Sequence, residues 1–100
     1  MSVLVTVKIP GDTDKFQQAL SERGGEFTQI GDRARAKGAL HHRFGVGNGY
    51  VIVVDEWESL SDFQNFFVDP ELQDFIGSVG GATNAPDIMV AEAVASPDQF

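Results

Sequence analysis

One dipeptide constrains the fold of this chain more than any other feature. Asn48-Gly49 sits between two strand-like runs, Ala39 to Val46 and Tyr50 to Trp57. Asn-Gly between alternating apolar residues is the strongest short-range hairpin signal, because a type I′ turn needs positive φ at both central positions. A two-residue turn also fixes the register. Phe44 then faces Val53, Arg43 faces Val54, His42 faces Asp55 and His41 faces Glu56. Directly opposed residues project to the same side of the sheet. One face therefore carries Leu40, His42, Phe44, Val46, Val51, Val53, Asp55 and Trp57. The other carries His41, Arg43, Gly45, Gly47, Tyr50, Ile52, Val54 and Glu56. The first is the more apolar and is assigned to covering helices. A bulge in the GVGNG segment would shift this register by one.

The remaining elements follow from periodicity. Val3, Val5, Val7 and Ile9 alternate with Leu4 and Thr6, which reads as a strand buried on both sides, and Pro10-Gly11 ends it. Asp12 or Thr13 can cap a helix whose stripe runs through Phe16, Ala19 and Leu20. Gly24-Gly25 interrupts it before Phe27, Ile30 and Ala34 resume, so the segment is one broken helix or two short ones ending by Gly38. Ser61 to Gln64 has the pattern of a capping box, opening a helix with Phe63, Phe66 and Phe67. Asp69-Pro70 starts another, with the proline at its first position, carrying Leu72, Phe75, Ile76 and Val79. Gly80 to Asp87 is a loop, Ile88 to Val94 the last strand, and Ala95 to Phe100 a fraying tail.

The order strand, helix, strand, strand, helix, strand in 100 residues predicts a single α+β domain over residues 1–100. Its class is a ferredoxin-like split βαβ sandwich, a four-stranded antiparallel sheet with helices on one side. The strands are apolar on both faces, so the bare face needs a cover. A second copy of the sheet is the simplest one. The expectation is a homodimer closing into an α/β barrel, with His41, Arg43, Tyr50 and Glu56 at the interface.

Composition removes several functions. The formal net charge is −8, which repels phosphate backbones and anionic membranes. With no cysteine there are no disulfides, thiolate zinc sites or cysteine nucleophiles. MSVLVTVKIP reads as a first strand and not a signal peptide, and no apolar run approaches the ~20 residues of a membrane span. A soluble cytoplasmic protein is expected.

Adjacent histidines in a strand point to opposite faces, so His41 and His42 cannot share a metal, and no metal site is expected. GVGNG leads into a strand, whereas a phosphate-binding glycine loop opens a helix. The matched His42–Asp55 pair beside Trp57 holds more chemistry. A carboxylate fixes the tautomer of an imidazole and so equips it as a general base. The same pair also reads as a structural cross-strand hydrogen bond. Likewise Trp57, Phe16, Phe44, Phe63, Phe66, Phe67 and Phe75 form either a packed core or the lining of an aromatic ligand pocket.

The run VIVVDEWES followed by LSDFQNFF resembles the third strand and next helix of the dimeric α/β-barrel superfamily, especially its antibiotic-biosynthesis-monooxygenase-like branch. A strand ending in E-W-x-S, a G-x-L-x-H second strand and a proline before the last strand are shared with it. The resemblance implies a homodimer with one pocket per subunit between sheet and helices, lined by Trp57. Members include cofactor-independent monooxygenases of aromatic polyketides and haem-degrading monooxygenases. The haem-degrading group pairs the tryptophan with an Asn in the first strand and a His on the following helix. This chain has no Asn between Val3 and Ile9 and no His between Leu60 and Gly81, so no haem or other cofactor is expected. Two functions result. One is a monooxygenase in which His42, oriented by Asp55, deprotonates an aromatic or polyketide-like substrate held by Trp57, Phe44, Phe16, Phe63 and Phe67. The other is a non-catalytic homodimeric ligand-binding or interaction module.

Overall fold

A computed structural model describes residues 1–81 and 86–100. Strand β1 spans Val3–Pro10, helix α1 Thr13–Glu22, helix α2 Gly24–Ala36, strand β2 Ala39–Val46 and strand β3 Tyr50–Trp57. Helix α3 spans Leu60–Phe67, helix α4 Pro70–Ser78 and strand β4 Asp87–Glu92. The strands form one antiparallel sheet in the order β2-β3-β1-β4. This is the expected ferredoxin-like split βαβ arrangement, each of its two helical connections broken into a pair of helices.

The breaks have local causes. The Asp12 side chain caps α1 by accepting from the Lys15 amide, and Arg23, with φ −120°, separates α1 from α2. Asp69 accepts from the Glu71 amide and Pro70 occupies the first turn of α4, where its missing N–H costs nothing. For α3 the sequence expectation needs correction. Ser59, not Ser61, is the N-cap, accepting from the Asp62 amide at 3.1 Å. Ser61 lies inside the helix.

Two further corrections concern β2 and β3. The predicted pairing holds from Val46–Val51 to His41–Glu56, but Trp57 pairs with Ala39. Leu40 is the extra residue of a bulge and is exposed, so it drops out of the cross-strand pairing that orders His42, Phe44 and Val46, although it still touches the rim of the cavity. The bulge thus lies at the far end of the hairpin from GVGNG. The small Ala39 leaves room for the buried indole, which Phe63 and Phe66 already crowd at centroid distances of 5.9 and 5.4 Å. At the turn, only Gly49 takes positive φ (82°), so the geometry is not type I′. The last strand ends at Glu92, short of the expected Val94, and Ala93 N donates to Ser2 O at 3.0 Å. The expected loop from Gly80 to Asp87 is described only at its two ends; residues 82–85 lie outside the described part.

The helices cover one sheet face. Val5, Val7, Ile9, Val51, Asp55 and Trp57 point into it and are buried, together with Phe16, Ala19, Phe63 and Leu72 from the helices and Val79 at the C-cap of α4. Leu20, although on the predicted stripe of α1, is exposed. Leu4, Val54 and Met89 project from the opposite face and remain exposed, as the alternation of their strands requires.

Candidate functional site

The inner face of the hairpin brings His42 and Asp55 together. Their cross-strand pairing places Nδ1 of His42 2.7 Å from Oδ1 of Asp55. Trp57, two residues along β3 and so on the same face, donates its indole N–H to Oδ2 of Asp55 at 3.1 Å. A carboxylate can only accept, so Nδ1 of His42 carries the donated proton, and in the neutral ring the lone pair is on Nε2. Asp55 is 8% exposed and holds both its neighbours, whereas 43% of the His42 side chain is reachable by solvent. The arrangement fixes one tautomer and one orientation of an imidazole whose second nitrogen has no partner among the described residues.

Aromatic rings flank this pair on both sides. Phe44 meets the His42 ring edge-on at 4.6 Å and belongs to a cluster with Phe16, Phe27 and Phe75, each contact T-shaped at 5.0 to 5.9 Å. On the other side Trp57 packs against Phe63 and Phe66, and Phe63 stacks on Phe67 at 5.4 Å. Between the clusters and under the helices lies a cavity of about 490 Å³, within the usual 300–1,000 Å³ range of small-molecule sites. Its walls are mostly apolar. His42, Asp55, Trp57, Phe16, Phe44, Phe63 and Phe67 all border it.

The four remaining sequence candidates lie elsewhere. The His41 ring reaches Glu56 at 3.9 Å, and Glu56 also accepts from the Ser2 hydroxyl at 2.5 Å. Tyr50 lies under the Lys8 ammonium at 4.5 Å, and Arg43 pairs across the hairpin with Val54. Arg43, Tyr50 and Glu56 sit on the open side of the sheet and do not border the cavity, whereas His41, beside the bulge at Leu40, also reaches its rim.

Sequence reasoning missed parts of the wall, Phe27 and Gly31 among them. Phe27 ties three of the other phenylalanine rings together, and its signal was its place on the α2 stripe with Ile30 and Ala34. Gly31, in the interior of α2, also borders the cavity. Among the described residues no group of three or more His, Asp or Glu side chains is placed to hold a metal ion. No described helix is long and apolar enough to cross a membrane.

The same fold occurs in solved structures. A monooxygenase from the gene ActVA-Orf6 of Streptomyces coelicolor, in complex with the ligand Nanaomycin D, is 19% identical with a TM-score of 0.68. The match covers 99% of this chain and 93% of that one. SnoaB, a cofactor-independent oxygenase from Streptomyces nogalater, is 9% identical with a TM-score of 0.59, over 98% of both chains. Rv0793 from Mycobacterium tuberculosis is 14% identical with a TM-score of 0.62, over 98% of this chain and 100% of that one. No protein-family model and no curated protein sequence matches the chain. At these identities the fold is shared, in agreement with the resemblance carried by the E-W-x-S strand, and activity has to be argued from the site.

Proposed function

We propose that the protein is a cofactor-independent monooxygenase of an acidic aromatic substrate, a phenol or enol of the polyketide kind. His42 is its general base and Asp55 orients that base. The observation that carries this reading is a single His–Asp pair, fixed in one tautomer by Trp57 and Asp55, in the wall of a 490 Å³ aromatic cavity. The flat rings of the two clusters suit a flat substrate and keep water from it. Nε2 takes the acidic proton and leaves an anion with charge on carbon. That carbon bonds to one atom of dioxygen, and the outer oxygen takes the proton back from the imidazolium. Loss of water from the hydroperoxide then leaves a carbonyl. Both electrons that reduce the second oxygen come from the substrate.

The fold neighbours named as monooxygenases support the reading. We also propose that two copies pack through the bare sheet face, where Leu4, Val54 and Met89 are exposed and His41, Arg43, Tyr50 and Glu56 supply polar contacts. The decisive test is oxygen uptake with a panel of hydroxylated anthrones and naphthols. His42→Ala should lower turnover by about 10²–10⁴, the range of general-base catalysis, while ligand uptake persists. Unchanged turnover in His42→Ala excludes this base. Ligand uptake by the wild type with no oxygen consumption makes the protein a binding module instead.

A further inference from the structure

His42 stands on the helix-covered face, in one cross-strand row with the buried Asp55 and Val5, yet 43% of its side chain is exposed. β2 is an edge strand and α2 is the helix packed along it. At one end of the seam between them Phe27 meets Phe44 at 5.9 Å. At the other, Ala34 and Ala39 both pack against the core around Trp57. The middle of α2, with Ile30 and Gly31, therefore falls opposite the middle of β2, where His42 sits. A Cβ placed on Gly31 would meet no heavy atom within 4 Å, and its φ is not positive. Neither close packing nor backbone conformation requires glycine here. In a helix interior glycine is the least favourable residue after proline. Gly31 borders the cavity, as His42 does, and no side chain closes the wall at this point.

We infer that the α2–β2 seam at Gly31 is the entrance of the cavity, and that Gly31 sets the width of aromatic ligand that reaches His42. This rests on the cavity being a ligand pocket. A flat ring slides edge-first between helix and strand, passes Gly31 and meets the imidazole. A large residue at position 31 narrows the gap from the helix side, since the space its Cβ enters is empty and the rest of the side chain extends toward the cavity that Gly31 borders. Gly25 provides the matched control. It lies in the same helix, a Cβ there also meets nothing within 4 Å, and it does not border the cavity.

The test uses the full chain and the probe 5-hydroxy-1,4-naphthoquinone, followed by quenching of Trp57, the one tryptophan. Gly31→Phe should slow association and weaken binding at least tenfold, and Gly25→Phe should leave both unchanged. Gly31→Ala should raise Tm by about 4 °C or more, since alanine is the better helix former and displaces nothing. Unaltered binding in Gly31→Phe overturns the entrance alone. A Gly31→Phe variant that melts well below wild type also overturns it, because the seam then has no room. Absence of quenching in the wild type overturns the ligand pocket and the entrance together.

Discussion

Replacing Asp55 by asparagine separates the structural role of the His–Asp pair from its chemical role. The side chain keeps its size but has one acceptor oxygen and an NH2 group in place of two oxygens. The Trp57 indole N–H is a donor only, and Trp57 is 1% exposed, so the amide oxygen must turn to it. The NH2 group then faces Nδ1 of His42 across 2.7 Å. Nδ1 becomes the acceptor and the ring proton moves to Nε2, the nitrogen proposed as the base. Two hydrogen bonds to a charged group, each worth about 1.5–3 kcal/mol, give way to neutral ones of about 0.5–1.5 kcal/mol. Release of the carboxylate from a buried site offsets part of that loss. The expected net cost is about 1–2 kcal/mol, or a Tm lower by roughly 4–16 °C for a domain of this size. The variant stays folded, because domains of this kind hold about 5–15 kcal/mol in total. Turnover, however, should fall by at least about 10², as for loss of a general base. Thermal melting, oxygen uptake and the histidine tautomer from long-range nitrogen–proton NMR correlations check the three parts. An Asp55→Asn protein with the proton on Nε2 and wild-type turnover refutes the assignment of base and orienter.

Two other substitutions test the fold. Ser59→Ala should cost about 1 kcal/mol by removing the cap of α3, while Ser61→Ala should stay within about 0.5 kcal/mol; equal losses in thermal melts would return the cap to Ser61. Val54, 48% exposed on the bare sheet face, can accept a charge without touching the core. Val54→Glu should give a monomer in sedimentation velocity with an unchanged circular dichroism spectrum, and a wild type that already sediments as a monomer removes the homodimer proposal.

The hairpin shows which parts of this fold are readable from local signals. Asn48-Gly49 set a register that runs through six cross-strand pairs, because a short turn leaves the strands no freedom to slide. The turn type was not readable, since it depends on groups far away in sequence. Gly49 O accepts from Gly11 N at 3.1 Å at the end of β1, and the Tyr50 ring lies where a Gly47 side chain would be. The bulge at Leu40 has a similar cause. It follows from how much of the space opposite Trp57 the rings of α3 already occupy. Ser59 and Ser61 each precede an acidic or amide residue by three positions, so the capping pattern fitted both starts. Only the real path of the chain selects one.

The site divides along the same line. That His42 and Asp55 meet follows from strand parity once the register is known, and Trp57 joins them because it is two residues from Asp55. Whether the phenylalanines enclose a space does not follow from parity. Eight phenylalanines satisfy the pattern of a solid core as well as that of a lined cavity. The difference lies in residues that contribute nothing to the pattern. In a stripe reading Phe27, Ile30 and Ala34, Gly31 registers only as a weak point of the helix. Opposite a solvent-reached histidine, the same glycine becomes the position where one added side chain closes the cavity. A cavity is defined by what is missing from its wall, and hydrophobic periodicity records only what is present.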